Sequence, residues 1–201
     1  NRAHTLERCI ESVLNQTHPP KEILLVDDGS SDNTSDIIKR YKDKLTSLTL
    51  KENNGVSYAR NQGVKLAKTD WIAFLDSDDE WAPKKLEHQV SYLTQNPFYQ
   101  ILQSEEIWIR NGVRVNPHKH HKKEKGNLWE KSLTLCTISP SSVLIQKSLL
   151  EKFEGFNEAL PACEDYDLWL QITRHSPIGL APHPTLIKYG GHNDQLSQKY
   201  P

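Results

Sequence analysis

The chain has 201 residues and a formal net charge of −1, from 25 basic and 26 acidic side chains. That length suits one ordinary domain with its own core, and the even charge balance excludes the broad basic surface of a nucleic-acid-binding protein. Apolar runs are too short for a transmembrane helix. The three cysteines form no Cys-x-x-Cys pair, which indicates reduced thiols in a cytosolic domain.

The first half of the sequence alternates helical and strand patterns. Apolar residues at helical spacing predict helices over residues 5–15, 31–44, 56–67 and 83–94. Short apolar runs between turn residues predict buried strands over residues 22–26, 48–51 and 71–75. Strands separated by single helices indicate βαβ units and a parallel sheet. Because such a sheet normally opens on a strand, we expect a first strand upstream of Asn1.

The second half of the sequence has a less regular pattern. It predicts strands over residues 100–109, 142–145 and 185–189 and a helix over residues 164–174. Residues 117–125 are basic and rich in histidine without periodicity, which indicates a surface loop. Trp81 and Trp108 are each suited either to stack on a sugar or to fill a face of the sheet.

Acidic residues follow directly after two of the predicted strands. Asp27 and Asp28 follow one of these strands, and Asp76 and Asp78 follow another. Ligands of open α/β sheets bind beyond the carboxyl ends of the strands. We expect the Asp-x-Asp spacing to place Asp76 and Asp78 on the same side of an extended chain. Such hard oxygen ligands suit Mg²⁺ or Mn²⁺ bound to a diphosphate.

Several motifs in order carry a resemblance to a known family. They are VDDGSSDNT (residues 26–34), NNGVSYARNQG (53–63), FLDSDDEW (74–81) and EDYDLWLQI (164–172), preceded by the segment 1–17. Together they resemble family 2 glycosyltransferases of the GT-A fold. The resemblance implies a Rossmann-like, mainly parallel sheet flanked by helices, with a smaller antiparallel acceptor-side region and with the first strand missing here. It divides this domain into a half that binds the nucleotide sugar, residues 1–98, and a half that binds the acceptor and carries the catalytic base, residues 99–201.

The resemblance also implies roles for individual residues. Those expected at the nucleotide are Asp27, Asp28, Arg60 and Asp76, with Asp28 at a uracil-type base and Asp76 near the ribose. Those expected at a Mn²⁺ or Mg²⁺ ion are Asp78 and His192. Asp165 is expected to be the catalytic base, and Glu164 to orient the acceptor or to share that role. A carboxylate is suited to this work because an acceptor hydroxyl must lose its proton as it attacks.

The function implied is inverting, metal-assisted transfer of a sugar from a nucleoside diphosphate sugar to a saccharide or lipid-linked hydroxyl. The expected setting is cell-surface polysaccharide or glycolipid synthesis in the cytoplasm, with peripheral association at the inner face of the membrane. No nucleic-acid partner is expected.

Three alternatives stay open on the sequence. A signalling receiver domain also has a strand ending in Asp-Asp, but it needs neither the preceding helix nor the EDYDLW segment. A sugar-phosphate nucleotidyltransferase also uses paired aspartates with a divalent metal, but its Gly-rich phosphate loop is absent. A non-catalytic binder of sugar nucleotides would keep the nucleotide-site residues without needing Glu164 and Asp165.

Overall fold

The computed structural model describes residues 1–116 and 121–191. The helices of these residues are α1 (Ala3–Leu14), α2 (Thr34–Arg40), α3 (Val56–Leu66), α4 (Lys85–Gln95), α5 (Trp129–Ser132), α6 (Lys147–Lys152) and α7 (Glu164–His175). The strands are β1 (Leu24–Asp27), β2 (Thr46–Thr49), β3 (Trp71–Ala73), β4 (Glu80–Trp81), β5 (Ile101–Arg110), β6 (Val113–Val115), β7 (Leu144–Gln146) and β8 (Gly179–Gly190). A 3-10 turn, Pro140–Ser142, precedes β7.

The predicted alternation of helices and strands in the first half is confirmed, and each long predicted helix is present. The second helix is shorter than predicted, because the chain leaves the helix after Arg40 and forms turns before β2. The sequence did not predict β4, β6, α5 or α6, which are too short to leave a periodic pattern. The division at residues 98 and 99 falls between α4 and β5 and stays a prediction.

The strands form two sheets among the described residues. β1 and β2 pair in parallel, with Leu24 opposite Thr46. The second sheet has the order β3-β7-β5-β8-β4, with β6 paired to β5. In it only β5 and β8 run parallel, and the other ladders are antiparallel. The first sheet is therefore parallel, and the second sheet is mixed, with its one parallel pair at the centre.

The main core lies under α7 and holds the second half together. Leu168 and Ile172 of α7 are fully buried against Ile101 of β5 and Ile145 of β7. Burying a side chain of this size contributes about 1.5–3 kcal/mol. A second core packs α1 on α2 through Leu6, Ile10, Ile37 and Ile38. The amphipathic pattern of α7 thus fixes which of its faces packs on this core.

No helix within residues 1–116 and 121–191 combines the length and the apolar character needed to cross a membrane.

Candidate active site

Arg60 joins the two halves of the candidate site. It lies on α3, and its Nη2 is 2.7 Å from Oδ1 of Asp76, which follows β3. Its Nη1 is 2.6 Å from Oε1 of Glu164, in the first turn of α7. Burial alone would lower the pKa of Arg60, but Asp76 and Glu164 outweigh it and raise that pKa. The guanidinium therefore connects residues that are far apart in sequence.

Asp28 joins the loop that follows β1 to the loop between β2 and α3. Its two carboxylate oxygens accept hydrogen bonds from the backbone N–H groups of Asn54 and Gly55, both at 2.8 Å. Gly29 has a φ of +69°, and a Cβ there would lie 2.7 Å from the main chain of Glu52. Only glycine fits this close approach without strain. These contacts join the two loops, and both loops line the cleft.

Asp27 is buried at the base of the same turn, where its Oδ1 accepts a hydrogen bond from Ser30 N at 3.2 Å. Asp27, Asp28, Arg60 and Asp76 all line one large cleft of about 1660 Å³. The structure therefore brings the four predicted nucleotide residues to one place. Their contacts with a nucleotide stay predictions.

The acidic cluster after β3 does not run as an extended chain. Asp79 N donates to Asp76 O at 3.0 Å, which closes a turn through Ser77 and Asp78. The expectation that Asp76 and Asp78 project from the same side of an extended segment is therefore wrong. Asp79 is buried, and its Oδ1 accepts from Tyr189 N at 3.3 Å.

The three carboxylates of this turn consequently have different environments. Burial and the nearby Asp76 raise the pKa of Asp79 to about 8. Burial also acts to raise the pKa of Asp76, but Arg60 outweighs it and holds that pKa below its usual range. Asp78 is partly exposed in the cleft, with its Oδ2 3.8 Å from Nη2 of Arg2.

The metal role that the resemblance gives Asp78 stays a prediction; the side chain lines the cleft and is paired with Arg2. Asp76 is committed to Arg60, and Asp79 faces away from solvent. Across residues 1–116 and 121–191 no three His, Cys, Asp or Glu side chains converge as a preformed metal site. Mg²⁺ is commonly bound through one or two carboxylates together with substrate phosphates, so one carboxylate fits such an ion with a diphosphate. His192 lies outside the described residues.

The first turn of α7 presents the predicted catalytic pair. Cys163 precedes it in the left-handed conformation, with a φ of 61°. Glu164 is buried and bound to Arg60, whereas Asp165 is half-buried and accepts a hydrogen bond from Tyr166 N at 2.8 Å. Burial, and next Glu164, raise the pKa of Asp165. A carboxylate with a raised pKa is a stronger base near neutral pH.

The sequence did not predict a charged cluster on β5 and β8 beside Asp165. Glu106 of β5 lies 2.7 Å from Nζ of the buried Lys123. Lys188 of β8 is close enough to Glu106 and Asp165 for both to raise its pKa, although its burial acts to lower it. A lone lysine in an apolar strand was the signal for Lys188, but its neighbours follow only from the pairing of β5 with β8.

Comparisons with known proteins agree with this architecture. The family model for glycosyl transferase family 2 matches residues 1–154. An uncharacterized glycosyltransferase of Rickettsia felis is 35% identical over 99% of this chain, which covers 34% of that relative. Escherichia coli WfgD, named as a UDP-Glc:α-D-GlcNAc-diphosphoundecaprenol β-1,3-glucosyltransferase, is 36% identical over 89% of this chain and 68% of its own length.

Among solved structures, S. aureus TarS 1–349 in complex with UDP-GlcNAc is similar, with a TM-score of 0.83 and 22% identity. The similarity covers 99% of this chain and 58% of that one. It confirms the predicted GT-A fold class. The chain spans 34% and 63% of the first two curated relatives that it matches, from Rickettsia felis and Rickettsia typhi.

Proposed function

The chain belongs to glycosyl transferase family 2, and from that premise we propose that it moves a sugar from a nucleoside diphosphate sugar to a hydroxyl of a saccharide acceptor. The observation that carries this proposal is the bridge from Arg60 to Asp76 and Glu164. It holds the cleft after β1 and β3 against the first turn of α7. A donor in the cleft would therefore lie beside Asp165, which lines the same space.

We assign the role of general base to Asp165. The acceptor oxygen attacks C1 of the donor sugar while Asp165 takes the hydroxyl proton. The bond from C1 to the diphosphate oxygen breaks, and its electron pair leaves with the nucleoside diphosphate. Attack from the side opposite the diphosphate inverts the configuration at C1. Glu164 is a positioning residue in this scheme, because its carboxylate is bound to Arg60.

We propose Asp78 as the protein ligand of a Mg²⁺ or Mn²⁺ ion, with His192 as a further candidate. Such an ion supplies positive charge that offsets the negative charge of the departing diphosphate. The position of Asp78 on the lining of the cleft supports this assignment. If it is correct, Asp78→Asn weakens UDP binding in the presence of Mg²⁺ and has little effect in EDTA, as calorimetry would measure. Equal losses in both buffers would contradict the assignment.

For the substrates we propose a UDP sugar as donor and a sugar diphospholipid as acceptor. The support is the donor and acceptor in the name of WfgD, together with the UDP-GlcNAc bound to TarS. A lipid-linked acceptor would place the protein at the cytoplasmic face of a membrane, as a peripheral protein in cell-surface polysaccharide synthesis.

The test uses UDP-glucose, Mg²⁺ and a synthetic α-GlcNAc diphosphate with a short alkyl chain. We expect a disaccharide with inverted anomeric configuration, detected by mass spectrometry and NMR. Asp165→Asn should lower the transfer rate by about a hundredfold or more and leave UDP affinity unchanged. The matched control is Asp167→Asn, which changes an exposed hydrogen bond in the same helical turn.

Full transfer activity in Asp165→Asn would refute the assignment of Asp165 as the general base and leave the glycosyl transfer itself standing. Another result would contradict the proposed function. Release of pyrophosphate from UTP and glucose 1-phosphate would favour a nucleotidyltransferase instead.

A further inference from the structure

A second, smaller cavity opens beside Asp165, and none of the nucleotide-loop residues lines it. Its volume is about 170 Å³, and it is lined by residues of β5 and β8, by residues 136–139 and by His121 and Lys123. At about 30 Å³ for each water molecule, it has room for five or six waters, which is comparable to the space that one sugar ring occupies. Asp165 and Lys188 line both this cavity and the large cleft. The two spaces therefore meet at the proposed catalytic base.

One buried polar group that lines this cavity has unused hydrogen-bonding capacity. The hydroxyl of Thr137 is buried and has no hydrogen-bond partner among the described residues. Buried polar groups are nearly always hydrogen-bonded, so this exception calls for a ligand or ordered water. Lys188 also lines the cavity, where it is half-buried and close to the carboxylates of Glu106 and Asp165. A ligand hydroxyl would pair with Thr137 and accept a hydrogen bond from the Lys188 ammonium.

One wall of the cavity is held rigidly. Nε1 of Trp108 donates to Oε2 of Glu106 at 2.7 Å. Glu106 is itself fixed by Lys123 at 2.7 Å and by a hydrogen bond from the Ser139 hydroxyl. These contacts set the orientation of the indole ring before any ligand arrives. Because Trp108 and Lys188 are partners in the parallel register of β5 and β8, the ring and the ammonium lie side by side on one face of the sheet.

The charges around the cavity argue against a second phosphate as its occupant. Carboxyl groups of Glu105, Glu106 and Asp165 line it, and the charge of Lys123 is already paired with Glu106. A neutral molecule with several hydroxyls avoids that repulsion. It would use the ammonium, the hydroxyl and the carboxylates as hydrogen-bond partners, while the indole ring covers its apolar face.

We propose that this cavity binds the terminal sugar ring of the acceptor, with Trp108 against the ring and Lys188 and Thr137 bonded to its hydroxyls. The ring then presents one hydroxyl to Asp165. This inference rests on the proposed function and extends it, because it assigns the choice of acceptor to β5 and β8. Trp108 and Lys188 become the residues that determine acceptor specificity.

The test measures binding of simple sugars to the protein loaded with UDP and Mg²⁺. The probes are the methyl glycosides of glucose, N-acetylglucosamine, galactose and rhamnose, observed by saturation-transfer NMR. We expect at least one glycoside to bind the wild type. Trp108→Ala should weaken that binding by about tenfold, and Trp108→Phe should restore part of it. Lys188→Met should also weaken it.

The matched control is Trp129→Ala, which removes an indole that lines neither cavity. Its glycoside binding should equal that of the wild type. The proposal is overturned if no glycoside binds the wild type, or if Trp108→Ala and Lys188→Met both bind glycosides as the wild type does. UDP affinity and UDP release from UDP-glucose report on the proposed function separately. If the wild type neither binds UDP nor releases UDP from UDP-glucose, the proposed function itself is refuted and not only the acceptor assignment.

Discussion

Replacing Arg60 by methionine tests the central connection of the site. The change keeps most of the side-chain volume but leaves the carboxylates of Asp76 and Glu164 without their cation. The Glu164 side chain is only 6% exposed, whereas that of Asp76 is 33% exposed. The unpaired Glu164 therefore dominates the effect. Breaking a buried ion pair from one side costs about 3–5 kcal/mol, and we expect Arg60→Met to lose stability in that range.

The assay is equilibrium urea unfolding at pH 7.5. The double variant Arg60→Met/Glu164→Gln removes the buried charge as well as its partner, and it should recover at least about 2 kcal/mol of the loss. Arg40→Met is the matched control, because Arg40 pairs with Glu7 at 3.0 Å on the exposed surface. Such surface pairs contribute less than about 1 kcal/mol. A loss for Arg60→Met no larger than that of the control would refute this reasoning.

Three further predictions follow from the site and its surroundings. Burial, and next Glu164, raise the pKa of Asp165, so kcat/KM should fall as the pH drops through that raised pKa. The fall should occur at a higher pH than an ordinary aspartate, with a pKa of about 3.9, would give. A pH–rate profile that stays flat down to pH 4 would contradict this. Gly29→Ala should cost about 2 kcal/mol or more in urea unfolding, against about 1 kcal/mol for Gly112→Ala, since both have positive φ but only Gly29 has main chain in the way. Burial lowers the pKa of Lys85 to about 7, so the folded state holds fewer protons than the unfolded state between pH 7 and 10. Wild-type stability should therefore rise relative to Lys85→Met from pH 7 to 9, by at most about 1.4 kcal/mol per pH unit, and parallel pH dependences would refute it.

The sequence predicted the parts of the fold that are governed by local patterns. The apolar stripe of α7 and the acidic residues of its first turn were both readable, because a helix places residues of known spacing on one face. β8 is much longer than its predicted five residues. Its ladder with β5 includes register shifts next to Glu105, and His183 has a φ of 73°. Such irregularities have no signature in periodicity.

In the candidate site, too, the residues within local motifs were predicted and those brought together by long-range pairing were not. Asp28, Asp76 and Asp165 were found because they follow strands or begin a helix within recognisable motifs. Lys188 and Trp108 were not placed, because these residues are 80 positions apart in sequence and become neighbours only through the parallel pairing of β5 with β8. The turn at Asp78 was also missed, since a two-residue spacing looks the same in a turn as in an extended segment.

Cys163, which precedes α7 with a left-handed backbone conformation, can serve as a natural site for a chemical label. Cys163 is exposed and lines the cleft immediately before Glu164. The thiols of Cys9 and Cys136 are shielded, and burial raises the pKa of each to about 12. The thiolate is the form that reacts with alkylating reagents, so a fluorescent maleimide should label Cys163 first. Its emission would then follow occupancy of the cleft without any engineered residue.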